Sequence, residues 1–327
     1  MDTIFYVFSA VAIALSFVPL LPSSHWTVRV WEFPRLQIAV VQFLLLLLGI
    51  VLLADKGLTG LHTGLLVGLT IALIYQTVWI VPYTPLYRKE VKSCETAQRT
   101  TLRILSSNVY MPNSNFEALL ALVKKFDPDF LVTLESNKKW QDGLSALSSN
   151  YPHQQRCPLE NLYGMHLYSK HPFRNIELRF LVEKDVPSIK ADVEVNGHSI
   201  TLYFVHPKPP SPTENHYAAP RDKELHIVGK EIASDIEKHQ SIIVAGDLND
   251  VAWSPTTRKF KKISGLLDPR IGRGFYNTFH AHYPLVKWPL DHVFHSRHFA
   301  LSRIERLEDI GSDHYPLFTE LCISSEA

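Results

Sequence analysis

The sequence predicts an α+β domain of stacked sheets preceded by three membrane helices. Three observations predict it. Charge is unevenly spread: of 33 Lys+Arg and 32 Asp+Glu in 327 residues, only five basic and four acidic side chains fall within residues 1–90. From residue 101 onward, short apolar strands alternate with amphipathic helices and a hairpin. An acid, an amide or an imidazole recurs beside the ends of those strands. As a whole the chain is 46% hydrophobic and 20% charged, with a net charge of +1. That is too apolar for a disordered chain, and it lacks the basic excess of a nucleic-acid binder.

Three runs, about residues 3–21, 36–54 and 58–81, are free of charge over the roughly 20 residues that cross a bilayer. A core helix of a soluble enzyme explains one such run but not three in succession. The first run lacks the basic start and A-x-A site of a cleaved signal peptide. Gly60, Gly64 and Gly68 recur every four residues in the third run, and we read them as packing positions within the three-helix module. Trp26, Trp31, Trp79, Tyr83 and Tyr87 flank the runs as an interfacial belt does. Arg29 and Arg35, then Arg88, Lys89 and Lys92, bias the following domain toward the cytoplasm by a few charges only, so the opposite side stays open. The reading is a multi-pass membrane protein of bacterial inner-membrane type: residues 1–90 form the module, 91–100 a polar linker and 101–327 a domain, with 28 basic and 28 acidic residues over linker and domain together. Three cysteines without a CxxC pair argue against a disulfide scaffold or a Cys-based zinc site.

Within the domain, 101–107 reads as a strand and 113–125 as a helix, with Phe116, Leu119, Leu120 and Val123 on one face. Residues 129–134 read as a strand and 140–147 as helical. Strands are expected at 162–169, 176–182 and 189–195. Asn196-Gly197 then turns the chain into a further strand at 199–205. An amphipathic helix at 222–238, a buried strand at 241–245 and strands at 289–295, 303–307 and 315–321 complete the series.

The chemistry lies at the strand ends: Ser107-Asn108, Leu134-Glu135, Val205-His206, Gly246-Asp247-Leu248-Asn249-Asp250, Leu290-Asp291-His292 and Gly311-Ser312-Asp313-His314. One such residue alone is more often a turn cap, but six segments together define a site. In order and content the set resembles the endonuclease/exonuclease/phosphatase superfamily over about residues 100–323, most specifically in GDLND at 246–250 and GSDHYP at 311–316. The resemblance implies a four-layer α/β/β/α sandwich and metal-dependent phosphoester hydrolysis with Mg²⁺ or Mn²⁺.

Such hydrolysis needs a positioned water, charge relief on phosphate oxygens and a proton for the leaving group, and a hard cation on oxygen ligands suits it. Carried over residue by residue, Glu135 looks like the principal metal ligand, with Asn108 beside it and Asp313 completing the shell. Asp247 looks like the group that orients or deprotonates water, with Asn249 as its amide partner. His314 matches the imidazole at the scissile phosphate, held by Asp291. His206 matches a second histidine whose role is general acid or phosphate stabiliser. Tyr110 departs from the acidic residue of some nuclease members, and His206–Pro210 is unusually Pro-rich.

Other candidates are Arg221, Arg270 and Arg273 as phosphate forks, the run Arg258–Lys262 as a lipid-facing patch, and His280, His282, His292 and His295 as a weak zinc pattern. The expected function is a membrane-anchored phosphatase or phosphodiesterase. Its partners are the lipid bilayer and a phosphorylated substrate, with a lipid-linked phosphate or pyrophosphate in view because tethered members of the superfamily are thought to act on such esters. A nuclease is less favoured by the balanced charge. A silent scaffold is disfavoured by the intact set of polar residues.

Overall fold

The structure is a computed structural model that describes residues 2–56, 59–94, 100–237 and 241–323. Three helices are long and apolar enough to cross a membrane: α1 (Asp2–Phe17), α3 (Arg35–Lys56) and α4 (Gly60–Ile80). Between α1 and α3 lies a short helix, α2 (Trp26–Arg29), started by His25, whose ring accepts from the Thr27 amide. Several polar groups pair with one another inside the bundle, as an apolar surround favours. Arg35 donates to Gln76 at 2.8 Å, while Gln76 and Gln42 both donate to Ser16 Oγ, at 3.0 and 2.6 Å. Of the three glycines read as packing positions, only Gly68 approaches a neighbour, Ile13 of α1. Gly60 and Gly64 face open space, which corrects the expectation for those two.

The remaining elements are β1 (Thr101–Asn108), α5 (Phe116–Phe126), β2 (Phe130–Leu134), α6 (Lys138–Gly143), β3 (His153–Cys157), β4 (Met165–Ser169), β5 (Phe173–Arg179), β6 (Ser188–Val195), β7 (His198–Phe204), α7 (Ala219–Glu237), β8 (Ser241–Asp247), α8 (Pro255–Ser264), β9 (Asp291–His295), β10 (Phe299–Arg306) and β11 (Leu317–Ile323). They form two sheets, ordered β10-β11-β1-β2-β4-β3 and β5-β6-β7-β8-β9. Alternation decides which face goes where. Ile189, Ala191, Val193 and Val195 of β6 point into a shared core with Leu102, Ile104, Phe130 and Val132 of the other sheet. Leu105, Leu131 and Phe318 turn the opposite way, onto α5 and Trp140 of α6. Tyr203, Ile242 and Val244 meet Leu225 and Val228 of α7 and Phe260 of α8. The result is four layers, α/β/β/α.

Local chemistry sets the boundaries. Asn115 caps α5 by accepting from the Ala118 amide, and Asp127 in left-handed conformation ends it. Ser254 caps α8, Pro255 opens it and Gly265 closes it. Asn196 and Gly197 both have positive φ, 50° and 83°, as a tight two-residue hairpin turn demands. Residue 238, at the end of the helix expected over 222–238, lies outside the described residues.

Bundle and domain share a core. Tyr83 and Trp253 are buried with Ala252, Ile271 and Leu290, and Phe33, Trp79 and Trp288 pack against them. Tyr83 Oη donates to the Ala252 carbonyl and Trp253 Nε1 to the Glu32 carbonyl, both at 2.7 Å. The start of the segment read as a linker is tied down too. Cys94 N donates to Leu301 O, Leu301 N donates to Lys92 O, and Cys94 and Cys322 form a disulfide with a Cα separation of 6.2 Å. The sequence reading gave these cysteines no partner; the fold pairs residues 228 apart. Cys157 is free and buried.

Candidate active site

Topology brings the polar strand ends together. β1 and β2 run parallel, so Asn108 and Leu134 are register partners and Glu135 follows immediately. β7 and β8 are also parallel, so His206 and Asp247 emerge on the same side. β9 runs antiparallel to β8 and begins at Asp291, the register partner of Asp247. β11 is antiparallel to β1, which delivers the segment before it, with His314, to the same edge.

Special backbone conformations shape the site. Gly246 has φ 143°, and a Cβ there would lie 2.1 Å from the Val205 carbonyl oxygen, so the GDLND turn needs glycine at its first position. Glu135 and Asn249 adopt left-handed φ values of 59° and 51°. Such conformations cost of order 1–3 kcal/mol and cluster at functional sites. Here they aim two polar side chains inward.

Asn108 Nδ2 donates to Glu135 Oε1 at 2.9 Å and to Asp247 Oδ2 at 3.2 Å. Asp247 Oδ1 accepts the Asn249 amide at 2.8 Å, and Asn249 Nδ2 donates to the Pro207 carbonyl at 3.0 Å. His314 Nδ1 meets Asp291 Oδ2 at 2.8 Å. The Nε2 atoms of His314 and His206 lie 3.5 and 3.7 Å from Asp247 Oδ2. Asp247, Asp291, His206 and His314 are all buried.

Burial opposes charge on His314, but Asp291 and Asp247 outweigh it and raise the imidazole to about 10. Burial and the neighbouring His314 instead hold His206 down to about 3. Burial raises the Asp247 carboxyl. It also lifts Glu135 to about 7, against the Asn108 hydrogen bond and His314 and with the help of Asp313.

A divalent cation fits this donor set. Glu135, Asp247 and Asp291 are carboxylates in a low-dielectric pocket facing one imidazolium, and Asp291 Oδ1 is buried without a hydrogen-bond partner. A hard cation on oxygen ligands would relieve that burden. Ligand atoms of Asp247, Asp291 and His314 lie within 4.8 Å of one another, the one metal-capable group among the described residues. His314 Nδ1 already bonds Asp291; Glu135 adds a further carboxylate beside this group, while Asn108 Oδ1 accepts the Tyr110 amide at 3.0 Å.

All eight residues singled out are at this edge. Asp313 is half-buried, and its carbonyl accepts the Ala281 amide at 2.7 Å. The arginine expectations need correction. Arg221 is buried, donating to Asn249 O at 2.9 Å and pairing with Asp222 and Asp250. Arg270 is buried against Asp268 and His292. Arg273 donates to Pro269 O, Val91 O and Ser93 Oγ. All three brace the scaffold. The zinc pattern dissolves as well: His292 and His295 are buried on separate partners, the Asp250 and Ser296 carbonyls.

Sequence reasoning placed Ser312 in a site segment but gave it no role. Its hydroxyl donates to the Asn108 carbonyl at 2.8 Å and accepts the His314 amide at 3.0 Å, locking two site segments together. For the loop at 279–288, the sequence offered His280 and His282 as a substrate loop in preference to a zinc pattern, but not its contacts. Phe279 packs on His314 with ring centroids 4.9 Å apart, and Gln37 of α3 donates to the Leu285 carbonyl at 3.0 Å.

Two sheets packed between helices, with carboxylates, amides and two imidazoles gathered at one edge, define a metallo-phosphoesterase type of fold and site. The model of the endonuclease/exonuclease/phosphatase family matches residues 105–314. The chain therefore belongs to that family, whose members are generally metal-dependent hydrolases of phosphoester bonds. Similar solved structures include TDP2 from D. rerio complexed with single strand DNA product, at 15% identity and TM-score 0.56, covering 68% of this chain and 99% of that one. An endonuclease/exonuclease/phosphatase from Beutenbergia cavernae DSM 12333 is 18% identical with TM-score 0.55, covering 69% and 72%. A functionally unknown conserved protein from Enterococcus faecalis V583 is 14% identical with TM-score 0.56, covering 68% and 100%. At these identities the likeness extends to the fold. No curated protein matches the sequence.

Proposed function

We propose that this chain is a membrane-anchored, Mg²⁺-dependent phosphoesterase acting on a lipid-linked phosphate or pyrophosphate, with residues 1–90 as anchor, 91–100 as linker and 101–327 as catalytic domain. The observation that carries the lipid reading is the loop at 279–288. One end packs on His314; at the other, the Leu285 carbonyl accepts from Gln37, near the start of an apolar helix. The imidazole and the start of a membrane span are thus joined by one short loop. An ester held at a bilayer surface is in reach of such a site.

In this reading Glu135 and Asn108, with Asp313, would hold a cation, which would supply charge relief to the phosphate oxygens. Asp247 orients the attacking water, with its Oδ1 fixed by the Asn249 amide. His314, kept protonated by Asp291, donates toward the phosphate or the leaving oxygen. His206, held neutral, is suited to hydrogen bonding rather than to proton donation as an imidazolium. The Cys94–Cys322 disulfide supports an oxidising compartment for the domain, against the few-charge bias toward the cytoplasm.

The test is a hydrolysis panel on the full chain in nanodiscs with Mg²⁺ or EDTA. It compares a lipid pyrophosphate, a short water-soluble phosphoester and single-stranded DNA. Preferred cleavage of the lipid, abolished by EDTA and by Asp247→Asn, is expected. Preferred cleavage of DNA would move the assignment to a nuclease. No cleavage of any ester would favour a scaffold.

A further inference from the structure

The cavity between the membrane bundle and α8 encloses about 1040 Å³ and includes none of the eight site residues in its lining. Its walls are the end of α4 with the segment after it, one face of α8, and Asp268 and Ile271. Six basic side chains line it: Arg88, Lys89, Arg258, Lys259, Lys261 and Lys262. Only two acids do, and both are spent. Glu90 takes Lys261 through both oxygens at 2.7 Å and also accepts the Asp268 amide. Asp268 pairs with Arg270. Five cations from two separate segments are therefore gathered in one concavity without an ion-pair partner among the described residues. A basic helix face is ordinarily just solvated. Here Arg88 and Lys89 line the same concavity, and like charges so gathered favour an anion.

The position says which anion. Val78 and Trp79 belong to the α4 span, and Arg258 stacks its guanidinium on Trp79, 4.3 Å from the ring centroid. Cationic rim and apolar wall thus meet where a span leaves the bilayer, the level at which aromatic and basic residues contact headgroups. We propose that this cavity binds the phosphate headgroup of an anionic phospholipid, as a site distinct from the catalytic one. The proposal rests on the reading of α4 as a membrane span. Bound lipid would neutralise the cavity and fasten α8 to the bundle.

The test places the full chain in nanodiscs containing photoactivatable phosphatidylglycerol or photoactivatable phosphatidylcholine and maps labelled peptides by mass spectrometry. Phosphatidylglycerol is expected to label the segments 79–90 and 255–264 preferentially. Lys259→Ala combined with Lys262→Ala should cut that labelling about tenfold or more, while labelling within α1, α3 and α4 persists. Equal labelling of 79–90 and 255–264 by both lipids, or unchanged labelling in the double variant, would overturn the proposal. So would complete displacement of phosphatidylglycerol by inorganic phosphate, which would assign the cavity to a soluble anion. Loss of all labelling within α1, α3 and α4 would instead refute the spans on which the proposal rests.

Discussion

In the proposed mechanism Asp291 acts through His314. The carboxylate lies 2.8 Å from Nδ1 and leaves Nε2 turned toward Asp247, so it fixes both the orientation of the ring and its charge. Replacing Asp291 by Asn keeps the shape and removes the charge. We expect a fall in kcat of about 10²–10⁴ on any ester the enzyme cleaves, with an unchanged circular dichroism spectrum. Loss of the neighbouring negative charge also lowers the His314 pKa, so the alkaline limb of the pH–rate profile should move to lower pH; a limb that stays put would remove His314 from that role. At this scale the sequence was most informative where polar residues interrupt apolar strands, because a carboxylate, amide or imidazole at a strand end has few structural uses. It was least informative for arginine. Arg221 and Arg270 carry the same fork whether they meet a substrate or a buried Asp, and only the fold reveals that Asp250 and Asp268 claim them.

Among the elements, the loop at 279–288 and the segment around α2 decide how the site meets its surroundings. Leu285 is 82% exposed although its backbone is bonded to an apolar helix. Leu285→Asp is expected to slow cleavage of a lipid ester in nanodiscs by about tenfold or more, the cost of placing a charge in apolar surroundings. Cleavage of a short soluble ester should not change. Equal effects on both substrates would show the loop to be structural only. Glu32, after α2, is buried beside Arg29, Arg221 and Asp250; burial, reinforced by Asp250, lifts it from 4.5 to about 8 despite Arg29. The folded state thus holds a proton that the unfolded chain releases, so the stability linked to it is present below pH 4.5 and is lost as pH rises through about 8. Glu32→Gln should accordingly raise the thermal midpoint relative to wild type at about pH 8 and much less at about pH 5; a pH-independent difference would contradict this. Neither α2 nor β3 was legible beforehand. A single helical turn carries no periodicity, and His153–Cys157 is a polar strand at a sheet edge, where only one neighbour, β4, imposes a pattern.

For the whole molecule, the layering followed from alternation, since β6 and β8 distribute apolar side chains as their faces require. The union of bundle and domain did not, because contacts such as Trp253 to Glu32 span more than 200 residues and leave no local pattern. The same holds for Cys94–Cys322. Peptide mapping without reductant, on protein alkylated in intact cells, should find those two joined and Cys157 as the free thiol. Cys94→Ser is expected to cost about 2–4 kcal/mol of stability. Fully reduced Cys94 and Cys322 would return the domain to the cytoplasm.

The core shared by Tyr83, Trp253, Ile271 and Leu290 bears on how this protein can be handled. Cutting the chain after residue 90 to obtain a soluble hydrolase would strip Phe33, Trp79 and Tyr83 from the turns that follow Asp247 and precede Asp291. Each large apolar side chain so uncovered forfeits about 1.5–3 kcal/mol, and the loosened turns carry the reacting groups. The severed domain would be prone to clump and slow to react even with every catalytic side chain intact. The N-terminal helices are part of the core on which the domain's own turns rest.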